Sequence, residues 1–335
     1  MSDRMSRPPA TVQIRIDHHS AVHIAATQAR GLGERLGLTG ARPDQAATVA
    51  SELATNLDKY GREGIVYLQP LPLGEGLEIL AVDRGPGMSD PGLCLTDGYT
   101  TSGTLGTGLG AVRRIASDFR MHSRPRAGTV TVARVGAPSA VPPRGVGAIC
   151  VPADGEEACG DGYLVREDGP TRTVALVDGL GHGPDAARAT RQGLRAFAEG
   201  DPELGLSAVL ESMHRAMRHT RGAAVGVLRQ RAGELEFCAV GNVRLCVMSG
   251  SGAERRMEAR PGIVGWNMPT PHTRGTALGV EQMAVIHSDG IEARWTRDTS
   301  PLLWESWPET LPAVLSHRHR RSRDDASAVA LAGLA

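Results

Sequence analysis

The segment 136–145 constrains this chain more than any other stretch: it holds Pro138, Pro142 and Pro143 between Gly136 and Gly145. Proline fixes φ and removes a backbone donor, and glycine carries a high entropic cost of ordering, so neither helix nor central strand forms there. It reads as a linker. Each side must then bury a core of its own, and 335 residues suffice for two domains of ordinary size. The expected division is a polar tail at 1–10, a first domain at 11–135, the linker, and a second domain at 146–335.

Hydrophobic periodicity fills in both halves. Residues 11–16 alternate as a strand, and 20–38 and 42–60 carry helical spacing, with Pro43 and Asp44 suited to a first turn. Residues 64–70 and 76–83 read as a hairpin turning at Pro72, Gly74 and Gly76. A polar, glycine-rich stretch from Gly85 to Gly110 is too long for an ordinary connector. A helix at about 108–118 and strands at 119–124 and 128–135 close the first domain. In the second, strands are expected at 146–152, 160–166, 171–178, 222–229, 234–240, 243–249, 282–288 and 326–332. Helices are expected at 183–199 and 203–219, with a helical insert near 301–315. Strands in runs with helices clustered between them indicate an α+β chain of layered domains. The basic run 317–323 reads as a solvated loop, with docking of a phosphoprotein as the weaker option.

Bulk properties exclude several classes. A net charge of zero and a pI near 7.2 give no general attraction to nucleic acid or anionic lipid. The five cysteines are scattered without a C-x-x-C pair, and Met1 to Ala10 lack the apolar stretch of an export signal. No apolar run nears the ~20 residues that span a bilayer. A cytoplasmic protein with reduced thiols is expected.

On the helix 42–60, Glu52, Asn56 and Lys59 share one face, and Lys59 is the only lysine in the chain. Asp83-Arg84-Gly85-Pro86-Gly87 ends an apolar strand, where a carboxylate can accept from a purine amino group and glycines let a base approach the backbone. Gly106-Thr107-Gly108-Leu109-Gly110 then leads into a helix whose N-terminal N–H groups suit phosphates. In order and spacing these three motifs resemble the GHKL (Bergerat) ATPase and kinase superfamily, in its anti-sigma and switch-kinase branch of the RsbT and RsbW type. Ser51 to Asn56 is similar to that branch's N-box, and Asp97 to Thr101 through Gly110, then Val112, Arg113, Arg114 and Phe119, look like RsbT in particular. The resemblance implies an α/β sandwich over 11–135 that binds ATP with Mg2+. Asn56 would bind the Mg2+, Glu52 would act as base for an attacking serine, and Asp83 would read adenine with Gly85 and Gly87 beside it. Residues 88–105 would form the lid, Gly106, Thr107, Gly108, Leu109 and Gly110 would cradle phosphate, and Lys59 would add positive charge. Asp58 departs from the pattern, standing where an apolar residue is expected.

Asp161-Gly162 and Asp178-Gly179 bracket a hairpin turning at Asp168-Gly169-Pro170. Their midpoint lies at the turn, so in a simple register the two carboxylates face each other, with Cα atoms roughly 4.5–5.5 Å apart. Like charges so placed repel, which makes a purely structural role costly and two shared divalent ions attractive. Val177 to Gly183 is an apolar strand ending in Asp and glycines before a helix, Ser288-Asp289-Gly290 follows another strand, and Asp324-Asp325 precedes a third. Four carboxylates at strand ends suit hard cations such as Mn2+ or Mg2+ rather than zinc. Asp154-Gly155 and Asp168-Gly169 read as turns only.

This series is similar to the metal-dependent type 2C serine/threonine phosphatases, in their SpoIIE/RsbX branch, and implies an αββα sandwich. By that resemblance Asp161, Asp178, Asp289, Asp324 and the Gly179 carbonyl hold two metals, and a bridging water attacks phosphoserine in line. His182 either orients substrate and donates a proton or caps the following helix. The two resemblances together imply a partner-switching, stress-response enzyme that phosphorylates and dephosphorylates a STAS-domain antagonist protein. A sigma factor or other switch protein is a further candidate partner, and a homodimer is compatible. Reciprocal control is expected, since both activities at once would only consume ATP. The alternative is a phosphatase whose ATP-binding domain acts only as a partner-binding or nucleotide-gated module.

Overall fold

A computed structural model describes residues 10–92, 108–136, 144–295 and 300–334. These fall into two compact units: one from Thr11–Arg144 together with Asp298–His317, the other from Gly145–Arg297 and Arg318–Ala335.

The N-terminal unit is one antiparallel sheet with helices on a face. Strands β1 (Val12–Ile16), β2 (Gly64–Pro70), β3 (Gly76–Val82), β4 (Asp118–Arg124) and β5 (Gly128–Gly136) lie in the order β1-β2-β3-β5-β4. Helices α1 (Ser20–Arg35), α2 (Arg42–Tyr60) and α3 (Gly108–Ile115) bury Ala25, Ala29, Val49, Leu53, Leu57 and Val112 against Ile14, Val66, Leu68 and Ile79. Pro43 sits in the first turn of α2, where its missing N–H costs nothing.

Because strand side chains alternate, Gln69, Glu78 and Arg134 fall on the opposite face. The register lines them up as Gln69↔Glu78↔Arg134↔Asp118 across four strands. Thr11 Oγ1 donates to Gln69 Oε1 (2.5 Å), Gln69 Nε2 to Glu78 Oε1 (2.9 Å) and Arg134 Nε to Glu78 Oε2 (2.7 Å). Burial pushes the Glu78 carboxyl up despite the Arg134 guanidinium beside it. Buried groups of this kind are tolerated only when satisfied, and here Gln69, Glu78 and Arg134 bond to one another across the sheet.

That face also receives the segment after Ser300, with helices α6 (Pro301–Trp304) and α7 (Leu311–His319). Tyr67 Oη donates to Ser316 Oγ (3.3 Å), Arg120 pairs with Glu309 (3.6 Å), and His122 and Arg124 both reach Glu305. Arg120 also lies over the Trp307 ring, 5.6 Å from its centre. A division of the sequence at 136–145 leaves this segment with the second half of the chain; these contacts are with the sheet of the first.

The C-terminal unit holds two antiparallel five-stranded sheets. One has the order β13-β10-β9-β8-β7, from β7 (Asp161–Asp168), β8 (Thr171–Gly179), β9 (Ala223–Arg231), β10 (Glu234–Val240) and β13 (Arg274–Ala277). The other has the order β12-β11-β14-β15-β6, from β6 (Val146–Val151), β11 (Arg244–Ser249), β12 (Gly252–Glu258), β14 (Met283–His287) and β15 (Ala326–Ala332). Helices α4 (Pro184–Glu199) and α5 (Leu206–Met217) cover the first sheet, packing Ala189, Leu194, Phe197, Leu210 and Met213 on Ala175, Val177, Val225 and Val227. Both units are thus layered α+β structures, as the sequence patterns indicate.

Strands β12 and β13 are not legible in the sequence. Both are edge strands rich in polar residues, so apolar alternation is absent where one side meets solvent. The basic run 317–323 also differs from the solvated loop expected of it. His319 is buried at the end of α7, and Arg320 donates to the Pro152 carbonyl and pairs with Asp154 (3.0 Å). Its first half therefore ties elements together. The four described cysteines are buried thiols, and among the described residues no helix is long and apolar enough to cross a membrane.

Candidate active sites

In the N-terminal unit the candidate residues follow the exposed edge of α2. Glu52 and Asn56 are half-buried beside the core residues Leu53 and Leu57, and Lys59 is exposed further along the same stripe. Glu52 Oε2 lies 3.5 Å from where a Cβ on Gly108 would stand, so the carboxylate faces the start of α3. At the other end of α2, a Cβ on Gly61 would come within 3.3 Å of the Asp83 side chain. The stripe from Glu52 to Gly61 covers roughly 14 Å at ~1.5 Å per residue, long enough for an extended nucleoside triphosphate laid along the helix.

Asp83 is buried, and its Oδ1 accepts from the Gly85 N–H (2.5 Å). Gly87 has φ +68°, and a Cβ there would fall 2.0 Å from the Arg124 carbonyl oxygen, so only glycine fits. One amide atom of Asn56, Nδ2, is buried without a hydrogen-bond partner. A half-turn of the amide exchanges it for the oxygen, a hard donor suited to a cation. These features fit a nucleotide with its ion. Leu109 and Gly110 lie in the first turn of α3, half-buried and buried respectively. Gly106, Thr107 and the lid beyond residue 92 lie outside the described residues. Asp58 is exposed, and its carboxylate meets His19 Nδ1 (2.8 Å), which is why an acid is tolerated there.

In the C-terminal unit the β7–β8 hairpin pairs Asp161 directly with Asp178, as the symmetric spacing about the turn implies. Asp161 is fully buried, and its Oδ2 accepts from Ser288 Oγ (2.6 Å) and Ser327 Oγ (2.8 Å). Burial, offset in part by these two hydroxyls, pushes its carboxyl up to about 7. Asp178 is held well above the usual carboxylate range by burial and then by the charges of Asp161, Asp289 and Asp324. Burial and the neighbouring Asp289 raise Asp324 as well. Among the described residues no group of three or more His, Cys, Asp or Glu side chains is closed around a metal position. The donor chemistry nevertheless fits divalent ions: all-oxygen, mutually repelling, and relieved only by protons or cations.

The neighbouring aspartate has a different task. Asp325 is buried, with Oδ1 accepting from the Ala153 N–H and Oδ2 from the Gly160 N–H, both at 2.8 Å. Both oxygens are engaged in holding the loop that leads into Asp161, which leaves Asp324 as the carboxylate facing Asp289. Gly290 permits this: a Cβ there would fall 1.9 Å from the Asp325 carbonyl oxygen. Gly179 is equally confined, its N–H donating to the Gly160 carbonyl (3.1 Å) and its Cα pressed against α4 at Ala186. His182 does not cap α4; the N-cap is Gly183, with no side-chain cap. Instead His182 Nδ1 meets Glu156 Oε1 (2.7 Å) from the loop after β6.

Ser288, Ser327 and Glu156 are the residues that sequence reasoning missed. The two serines flank aspartate motifs by one and two positions, the only signal available. Glu156 sits in an unpatterned loop and gives none.

Comparison with known proteins agrees with both halves. The profile of the family described as Stage II sporulation protein E (SpoIIE) matches residues 168–332. The serine/threonine-protein kinase RsbT of Bacillus subtilis (strain 168) is 35% identical over 109 residues, covering 32% of this chain and 82% of that protein. A chain solved in work on the bacterial stressosome as a modular system is 28% identical, with a TM-score of 0.51, over 56% of this chain and 98% of its own. RsbX in complex with magnesium is 20% identical, with a TM-score of 0.48, over 55% of this chain and 92% of its own. The chain therefore belongs to the RsbT family of serine/threonine kinases through its N-terminal part, joined to a SpoIIE-type, type 2C serine/threonine phosphatase domain.

Proposed function

We propose that this chain writes and erases one phosphoryl mark, on a serine or threonine of a STAS-type antagonist protein in a partner-switching pathway. The observation that supports the reading most is the facing pair Asp161 and Asp178, crowded by Asp289 and Asp324. Two Mn2+ or Mg2+ ions held by these four carboxylates and the Gly179 carbonyl would supply Lewis acidity and a nucleophile at neutral pH. Ser288 and Ser327 fix the Asp161 carboxylate, and Asp325 fixes the loop before it. His182, oriented through Nδ1 by Glu156, holds a proton at Nε2 for the departing serine oxygen.

In the other unit Glu52 takes the proton of the attacking hydroxyl. Asn56 would hold the Mg2+, the N–H groups of Gly108, Leu109 and Gly110 would hold the triphosphate, with Gly106 and Thr107 ahead of them, and Asp83 would read the base. Lys59 adds positive charge. Such chemistry needs positioning and charge neutralisation more than covalent participation.

The test is Mn2+-dependent hydrolysis of p-nitrophenyl phosphate by the full chain. It should fall at least about 100-fold in Asp178→Ala, since that change removes a carboxylate from the proposed ion pair. Undiminished hydrolysis in that variant would overturn the assignment.

A further inference from the structure

We infer that Trp266, with Leu180 and Ile263, forms an apolar lip that reads a side chain flanking the phosphoserine of the protein substrate; this rests on the phosphatase reading above. The lip is tied to the end of the strand that carries Asp178. Gly179, next after Asp178, is in register with Ala223. Ala223 in turn exchanges both backbone hydrogen bonds with Val264 (3.0 and 2.9 Å). Two strand spacings place Val264 roughly 10 Å from Gly179.

The backbone around Trp266 is fixed on both sides. The Gly265 N–H donates to His214 Nδ1 (2.9 Å), and with φ +93° a Cβ there would fall 2.9 Å from Met217. The Trp266 N–H donates to the Ile263 carbonyl (3.2 Å). Despite this anchoring, Trp266 is 75% exposed, the most exposed of the large apolar side chains among the described residues. Leu180, 40% exposed, reaches the same strand end by donating its N–H to the Gly222 carbonyl (3.1 Å). The Ile263 side chain packs over that same Gly222, 2.6 Å from where its Cβ would stand. A rigid backbone that presents an indole to solvent beside a reaction site is suited to recognition, since little ordering entropy is lost on binding.

Charge selects the occupant. Arg221 lies against the loop that follows Asp178, its Nη1 3.5 Å from a Cβ position on Gly181, and Nη2 pairs with Asp185 (2.9 Å). A guanidinium beside an apolar lip suits a phosphorylated polypeptide, with the phosphate toward the arginine and an apolar side chain on the indole. At ~3.3 Å per extended residue, the distance to the lip corresponds to about three residues from the phosphoserine.

The experiment uses the full chain with Mn2+ and two phosphoserine peptides that differ only in carrying Leu or Ser three residues to either side. Wild type should favour the leucine peptide by about five- to tenfold in kcat/KM, through KM. Trp266→Ala should abolish that preference and Trp266→Phe retain most of it, with p-nitrophenyl phosphate hydrolysed equally by all three. The inference is overturned if wild type shows no preference, if Trp266→Ala keeps it, or if Trp266→Ala also loses p-nitrophenyl phosphate hydrolysis. Failure of wild type to hydrolyse p-nitrophenyl phosphate at all would sink the phosphatase reading itself, and the lip with it.

Discussion

Asp161 and Asp178 stand directly opposite each other across the β7–β8 hairpin, the first fully buried and the second raised by burial and then by its partner's charge. Facing like charges destabilise a sheet, so this pair would weaken the fold unless cations or protons neutralise it.

Protonation supplies the first prediction. In the metal-free chain burial holds the Asp161 carboxyl up to about 7, while an unfolded chain ionises near the ordinary value of 3.8. Between these values the native state carries the extra proton, so metal-free stability falls as pH rises from about 4 to about 7. Ion binding must displace that proton. Calorimetric Mn2+ titrations should therefore show affinity rising with pH up to about 7, with proton release below it. A pH-independent affinity would contradict the assignment.

Adjacent aspartates should separate cleanly. Asp324→Ala should lose Mn2+-dependent hydrolysis with little change in Tm. Asp325→Ala strands the buried N–H groups of Ala153 and Gly160 and should cost about 2–6 kcal/mol of stability, at ~1–3 kcal/mol per unsatisfied group. Thermal unfolding of both variants checks this, and the reverse pattern would exchange their roles.

Ser288 and Ser327 should act on Asp161 rather than on substrate. Removing either hydroxyl takes a hydrogen bond from a buried carboxylate, ~1.5–3 kcal/mol when charged. Ser288→Ala and Ser327→Ala should each weaken Mn2+ binding about tenfold at neutral pH and leave the KM for p-nitrophenyl phosphate at saturating Mn2+ nearly unchanged. Isothermal titration together with steady-state kinetics would reveal the opposite division.

Trp307 should stabilise the N-terminal unit. Its ring carries Arg120, and His122 meets it edge-on at 6.1 Å. Trp307→Ala should lower stability by about 1–2 kcal/mol, since a cation–π contact contributes ~0.5–1 kcal/mol and packing adds to it. Chemical denaturation read from the N-terminal unit measures the loss.

Much of this was legible in the sequence because the informative features are local. The Asp161–Asp178 register follows from symmetric spacing about one turn, and the α2 stripe of Glu52, Asn56 and Lys59 from helical period alone. What escaped is contact between distant segments. Nothing near Ser316 announces Tyr67, nothing near Glu156 announces His182, and Asp325 is told from Asp324 only by the loop it holds. Edge strands β12 and β13 escaped for another reason: solvent on one side removes the alternation that marks a strand.

The central claim, one mark written and erased by one chain, is tested most directly by following label from γ-phosphate-labelled ATP on a purified STAS-domain protein. With Mg2+ and Mn2+ present, wild type should give a low steady level of phosphoserine. Asp178→Ala should accumulate label and Glu52→Ala none. If label never forms with Asp178→Ala while the STAS protein still binds, the N-terminal unit is a binding module. If wild type and Asp178→Ala accumulate label equally, the erasing half of the account is wrong.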